Sequence, residues 1–137
     1  MAYWLVKSEP DQYGIDDLKR DKKTDWTGVR SYPARNHLRS MQIGDDVLYY
    51  HSMSKEAGVA GLAKVSKTAF PDTTAEEGDW SAVELTFKKK FHQPVSLQTI
   101  KATKSLQDMK LLKIARLSVM PVTDKEFNTI LKLAGEA

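Results

Sequence analysis

Cysteine is absent from the 137 residues. Disulfides, thiolate nucleophiles and thiolate metal sites are therefore excluded, and a reducing cytoplasm is the compartment that fits. Histidine is scarce, with three residues: His37, His51 and His92. They form no HExxH array, stand at no helical metal spacing and are joined by no GxSxG elbow, so zinc-hydrolase and α/β-hydrolase chemistry lack their residues. A phosphate-cradling glycine loop is missing as well, because "GVAG" (Gly58 to Gly61) is too short and lacks the lysine that such a loop needs directly after it. No run approaches the ~18 consecutive apolar residues of a membrane span. "MAYWLVKSEP" lacks the basic start and long apolar stretch of a signal peptide. No membrane partner is expected, and there is no internal repeat or low-complexity tract.

What is present is ordinary for one globular domain: 41% hydrophobic and 28% charged residues in a chain long enough to bury a core. The net charge of +3 is small, but it is sorted along the chain. Lys19 to Arg39 holds seven Lys or Arg against two Asp, whereas Thr68 to Phe87 holds acids and no base. A basic face of this kind suits a polyanion, although solvated helix surfaces produce the same pattern.

"AYWLVKS" (Ala2 to Ser8) predicts a strand stopped by "EP". "GIDDLKR" predicts a short helix with acids at its start and bases at its end. In "SYPARNHLRSM", Ser31 is the expected N-cap, Pro33 belongs to the first turn, and Ala34, Leu38 and Met41 form the apolar stripe. "IGDDVLYYHS" predicts a turn and a strand, with Val47, Tyr49 and His51 on one face and Leu48, Tyr50 and Ser52 on the other. "VAGLAKV" returns as a strand, "FPDTTAEEGDW" is an acidic loop, and "AVELTFKKKF" alternates with Val83, Leu85 and Phe87 inward and Glu84, Thr86 and Lys88 outward. A broken helical stretch over "PVSLQTIKATKSLQDMKLL" follows, then a last strand in "ARLSVMPV". The final helix carries a capping box of Thr123 and Glu126, a stripe of Phe127, Ile130 and Leu131, and the terminal Gly135. Strands spread over the whole length with helices between them predict one α+β unit, residues 1–137: a small, curled, mostly antiparallel sheet with helices outside.

Catalysis finds little support in these residues. His51 and Ser52 are neighbours on a strand, so they point to opposite faces and do not pair as base and nucleophile. Asp16, Asp17, Asp45 and Asp46 are accounted for as helix and turn formers, and His92 as a solvated strand end. Glu9 or His51 as a base acting on nucleotides would stand without a nucleophile or a metal set. Binding chemistry is better served. The strand ends "KSEP" and "YYHS" and the segments "WTGVR" and "ARNHLR" offer aromatic faces from Trp26, Tyr50 and Tyr32. The same segments offer directional donors from Lys7, Ser8, Arg30, Arg35, Asn36 and Ser52. That mixture suits a planar heterocycle, stacked on its faces and read along its edge, with cations for flanking phosphates. Trp4 and Tyr49 are expected in the core; Trp26 suits either the core or a pocket wall.

Taken together, "YWLVKSEPDQYGIDDL", "W-x-GVR-x-Y-x-ARN-x-LR-x-M", "GDDVLYYHS", "GVAGLAKV", "FPD-x-TA" and "PVSLQTIKA…LQDMKLL…RLSVMPVTDKEF" resemble the EVE domain nearly end to end and in one register. The resemblance implies a PUA-like fold, a curled, mostly antiparallel β-barrel with peripheral helices, related to the YTH and SRA-type readers of modified bases. It implies a non-enzymatic pocket for a modified base, most often modified cytosine in DNA. By motif position that pocket would use Lys7, Ser8, Glu9, Trp26, Val29, Arg30, Ser31, Arg35, Asn36, Tyr50, His51, Ser52 and Asp72, with no catalytic residue, metal or cofactor. The implied partner is nucleic acid, either DNA with a modified base or, as the alternative, RNA met by an RNA-modification-associated PUA-like protein. A monomer with access to a bacterial nucleoid in the cytoplasm is expected.

The chain departs from the family pattern in two places. The family usually has Asn where Ser31 stands, so a hydroxyl with one donor replaces an amide. Many members also carry a longer segment with a "YDPKS"-like motif after "FPD", where only "TTAEEGD" separates Asp72 from Trp80. The expectation is a pocket with one wall altered and an acidic loop that repels phosphate.

Overall fold

The aromatic and β-branched run at the start forms β1 (Tyr3–Ser8), and the computed structural model describes residues 2–136. Pro10 begins a one-turn helix α1 (Pro10–Tyr13), which leads through Gly14 into α2 (Ile15–Asp21), β2 (Lys23–Trp26) and α3 (Tyr32–Ser40). This crossover brings the chain back to lay β3 (Asp46–His51) parallel to β1, Trp4 opposite Val47 and Lys7 opposite Tyr50. A parallel pair requires such a long connection. Two long strands follow, β4 (Gly58–Pro71) and β5 (Ser81–Ser96). Short helices α4 (Leu97–Ala102) and α5 (Lys110–Lys113), separated by a 3₁₀ turn, lead to β6 (Val119–Val122) and α6 (Asp124–Leu133).

The six strands form one sheet in the order β2-β5-β4-β3-β1-β6, antiparallel except for β1 with β3. The β4–β5 ladder shifts register repeatedly between Val59 and Phe70. Each shift bends the strands, and together they curl the sheet. Gly58 and Gly61 permit this close pairing, since a β-carbon at either position would collide with the carbonyl of Val95 or Lys89. The α+β class holds, whereas the expected barrel requires correction: the sheet is curled but open. Its edges are β2 and β6, each four residues long, and among the described residues no ladder joins them. A cavity lined by β2 and by the residues just ahead of β6 lies between them.

Both faces of the central strands are covered. Val47, Leu48, Tyr49 and Tyr50 are all buried, so the expected two faces of β3 are two cores, as in strands packed on both sides. Glu84, expected outward, is 8% exposed. It stays charged by accepting from Ser66 Oγ at 2.9 Å and pairing with Lys67 Nζ at 3.6 Å. On α3 the stripe Ala34, Leu38 and Met41 is buried, and Ser31 accepts from the Ala34 N–H as its N-cap. The Thr123–Glu126 capping box starts α6, whose Phe127 stacks on Tyr3 at 4.0 Å. No helix among the described residues is long and apolar enough to cross a membrane.

Candidate functional site

Between the two sheet edges lies a cavity of about 680 Å³, within the size range of small-ligand sites. Its floor comes from the C-terminal end of β1. There Ser8 Oγ donates to the Tyr13 carbonyl at 2.7 Å, and the Tyr49 hydroxyl donates to the same oxygen at 2.7 Å. Two donors on one carbonyl fix α1 against the sheet. Burial pushes the Tyr49 hydroxyl's pKa up, so it stays a neutral donor. The Ser52 N–H donates to the Ser8 carbonyl at 2.9 Å, which brings the end of β3 to the same rim.

Trp26 forms the wall from β2. It is half-buried and meets the Tyr49 ring edge-on, with centroids 5.5 Å apart and planes at 83°. One part of the indole therefore packs on the core while another lines the cavity. Beyond it, Gly28 takes φ of 85°, in the left-handed region that glycine adopts without strain. Its N–H donates to Asp72 Oδ2 at 2.8 Å, and Arg30 Nη1 reaches the same oxygen at 2.9 Å. Thr74 supplies its N–H at 2.9 Å and its hydroxyl at 2.6 Å to the other oxygen. Burial raises the Asp72 pKa, but these hydrogen bonds outweigh it and hold the carboxyl well below the usual carboxylate range.

The residues expected at the site fall into two groups. Lys7, Ser8, Glu9, Trp26, Val29, Arg30, Ser31 and Ser52 line the cavity together. Tyr50 is buried beside it, with its ring beneath the Lys7 ammonium at 5.9 Å. His51 turns away and accepts from the Ile15 N–H through Nε2 at 3.0 Å, at the start of α2. Burial lowers its pKa, against the pull of the Asp16 carboxylate. Asp72 stands behind the wall as its anchor. Arg35 and Asn36 lie on α3, where Asn36 Oδ1 accepts from Arg35 Nε and Nη2 at 3.2 and 3.0 Å.

The cavity is also lined by residues that no sequence motif singles out: Gln12 and Tyr13 of α1, Thr24 and Thr27 beside Trp26, and Arg116 and Ser118 ahead of β6. Ser118 was within reach of a parity argument, because it is the polar residue between the apolar Leu117 and Val119. Its carbonyl accepts from the Lys7 N–H at 3.0 Å. Arg116 had no such signal, since only the fold brings the "IAR" turn to β1.

The charge sorted along the sequence is resolved in part within the molecule: Arg20, Arg30 and Arg39 meet carboxylates, while Lys19, Lys22 and Lys23 meet none among the described residues. Arg39 Nη2 pairs with Asp79 Oδ1 at 2.8 Å, and Arg35 Nη1 donates to the Asp79 carbonyl at 3.2 Å. The acidic loop thus lies along the arginines of α3. Arg20 is held by Asp17 and Asp21. The lysines of β5 are also paired: Lys88 with Asp46, Lys89 with Glu136 and Lys90 with Asp16. Of the cations that line the cavity, Arg30 is paired with Asp72, whereas Lys7 and Arg116 have no carboxylate partner among the described residues. Lys7 Nζ instead donates to the Ala115 carbonyl at 2.8 Å, and burial lowers its pKa. The cations free to meet an anion therefore include two at the cavity's rim.

A family model described as the EVE domain matches residues 2–133. Human thymocyte nuclear protein 1 is 37% identical over 165 aligned residues, covering 96% of this chain and 73% of the human protein. Because that alignment is longer than this chain, the human protein contains residues with no counterpart here. A hypothetical protein from Leishmania major superposes with a TM-score of 0.94 at 41% identity, covering 99% of this chain and 96% of that one. The human THYN1 protein in complex with 5-methylcytosine-containing DNA superposes with a TM-score of 0.93 at 34% identity, covering 100% and 99%. The YTH domain of MmI1 shares the fold alone, with a TM-score of 0.64 at 11% identity.

Proposed function

Because this chain belongs to the EVE-domain family, we propose that it is a non-enzymatic module that binds DNA and takes a modified cytosine into the cavity beside Trp26. The observation that carries this reading is the cavity itself, with an indole on one wall, polar side chains around it and two cations without a carboxylate partner, Lys7 and Arg116, at the rim. The human relative of the same fold, seen with 5-methylcytosine-containing DNA, supports the choice of ligand.

In this reading Trp26 stacks on the base. The Glu9 carboxylate, at the N-cap of α1 but making no capping hydrogen bond, accepts from the cytosine exocyclic amine. Ser31 and Ser52 meet the remaining edge, Lys7 and Arg116 hold the flanking phosphates, and Arg30, tied to Asp72, shapes the wall. A base inside a duplex cannot reach such a cavity, so it must first leave the stack. The environment of His51 supports binding over catalysis, because the nitrogen that would act as a base already accepts the Ile15 N–H.

The test is a binding panel of matched oligonucleotides, each with one modified or plain cytosine, as DNA and as RNA. DNA with modified cytosine should bind best. Trp26→Ala should weaken that complex by about 1–3 kcal/mol, the usual value of one stacked base. Equal binding across the DNA panel, or preference for the RNA series, overturns the proposal.

A further inference from the structure

Four large apolar side chains stand exposed among the described residues: Tyr32, Ile43, Met53 and Ile114. Two of them directly follow a residue that lines the cavity, Tyr32 after Ser31 and Met53 after Ser52. Tyr32 already has a partner, stacked on Trp80 at 5.3 Å with planes at 15°. Met53 is different. It is 82% exposed and lies outside the core and the residues packed on it.

Its backbone is equally unusual. Met53 has φ of 54°, one of two non-glycine residues with positive φ among those described. Few side chains accept that region, Asn and Asp being the common exceptions. Such strain persists only where the surroundings enforce it, and it concentrates at functional positions. The enforcement is visible here. On one side of the tip the Ser52 N–H is tied to the Ser8 carbonyl at 2.9 Å. On the other, the Ala57 carbonyl accepts from the Leu97 N–H at 2.9 Å, and the Ala57 N–H donates to the Ser54 carbonyl at 3.2 Å. A braced turn thus holds a bare thioether side chain directly after Ser52, which lines the cavity. Lys55, also exposed and without a carboxylate partner among the described residues, follows two positions later.

We propose that Met53 is a wedge that enters the base stack beside the target nucleotide and fills the gap left when that base turns into the cavity. The inference rests on the base-binding function proposed above. Extruding a base exposes apolar faces of its neighbours, and an unbranched, adaptable apolar side chain is the type that covers them. Water would cover them poorly. Lys55 then sits where the strand's phosphates pass.

The test uses two duplexes with the same modified cytosine, one opposite guanine and one opposite an abasic site, where the base is already loosely held. Met53→Asn keeps the left-handed backbone and removes the apolar group; Met53→Leu keeps the bulk. Met53→Asn should lose on the order of tenfold in affinity for the paired duplex and less than about twofold for the abasic one. Met53→Leu should match the wild type on both. With 2-aminopurine beside the target, the wild type should raise fluorescence in the paired duplex and Met53→Asn should not. An equal loss on both duplexes, or no loss on either, overturns the wedge while the base-binding function stands. A wild type indifferent to the modification on both duplexes overturns that function and the wedge with it.

Discussion

Arg30 Nη1 lies 2.9 Å from Asp72 Oδ2, tying the loop after β2 to the turn after β4. The two partners are unlike. The Asp72 side chain is wholly buried, while that of Arg30 is 38% exposed. Asp72 is therefore less one half of a surface ion pair than a buried acceptor, serving the Gly28 N–H and both donors of Thr74. Through it, the wall containing Val29 and Arg30 takes its shape.

Asp72→Ala should accordingly destabilise the fold by about 2–3 kcal/mol, because several donors lose their acceptor at once. The upper range for broken buried pairs does not apply, since Arg30 keeps contact with water. The folded-state pKa is depressed, so this contribution is complete above the ordinary aspartate range near ~3.9 and is lost as pH falls below it. Urea unfolding at pH 7 and across pH 5 to 2 checks both parts. A midpoint unmoved by the substitution at pH 7 overturns the anchoring role.

His51 gives a second pH response at milder acidity. It is held neutral by burial and by the Ile15 N–H that it accepts, with Asp16 pulling the other way and Lys90 pushing with burial. Its folded-state pKa is lowered, so its contribution is complete above ~6.5 and declines as pH falls through that range. Protonation would face the Ile15 N–H with a second donor and loosen the start of α2. Wild-type stability should fall by about 1 kcal/mol between pH 7 and 5, and His51→Gln should flatten that slope. Equal slopes for the two proteins in urea titrations overturn this assignment.

Arg116 and Lys89 separate free cations from paired ones. Arg116 is at the cavity rim without a carboxylate, whereas Lys89 is engaged by Glu136. If phosphates pass the rim, Arg116→Ala should flatten the log–log salt dependence of DNA binding by about one unit. Lys89→Ala should leave it unchanged. Arg35, despite its place in the basic stretch, should give less than Arg116, because its guanidinium is already shared between Asn36 and Asp79. Equal slopes for all three variants would remove the rim from the phosphate path.

Arg116 also marks the limit of what the sequence alone reveals. Local rules worked where the signal was local: the Ser31 N-cap with its stripe of Ala34, Leu38 and Met41, and the Thr123–Glu126 box. The failures are non-local. "KTDW" has no apolar alternation, and it becomes the edge strand β2 only because β5 offers a ladder. Pro94 reads as a helix start, yet β5 continues past it to Ser96, since no ladder partner is required where the register jumps opposite Ala60. Barrel closure is a property of two edges that no single segment contains. In the candidate cavity, the sequence pattern brings together the lining residues near Trp26, because loop residues rich in donors have few other uses. Arg116 is not among them, because its place depends on how β6 pairs with β1.

Ser31 is where helix geometry and recognition meet. Its extended backbone caps α3, its oxygen accepts from the Ala34 N–H at 3.4 Å, and it lines the cavity. The hydroxyl has one proton to offer a base, on a short side chain. Asparagine caps a helix as well as serine does, so Ser31→Asn should leave the melting temperature unchanged. Its carbonyl would take over the Ala34 N–H, and its amide nitrogen would extend two donors further into the cavity. Discrimination between modified and plain cytosine should then sharpen by about 1 kcal/mol, the net value of one hydrogen bond. Competition binding with matched duplexes measures this, and the same mixtures should show no base loss or strand cleavage. If the variant folds normally and discriminates no better than the wild type, position 31 serves the helix alone and has no part in reading the base.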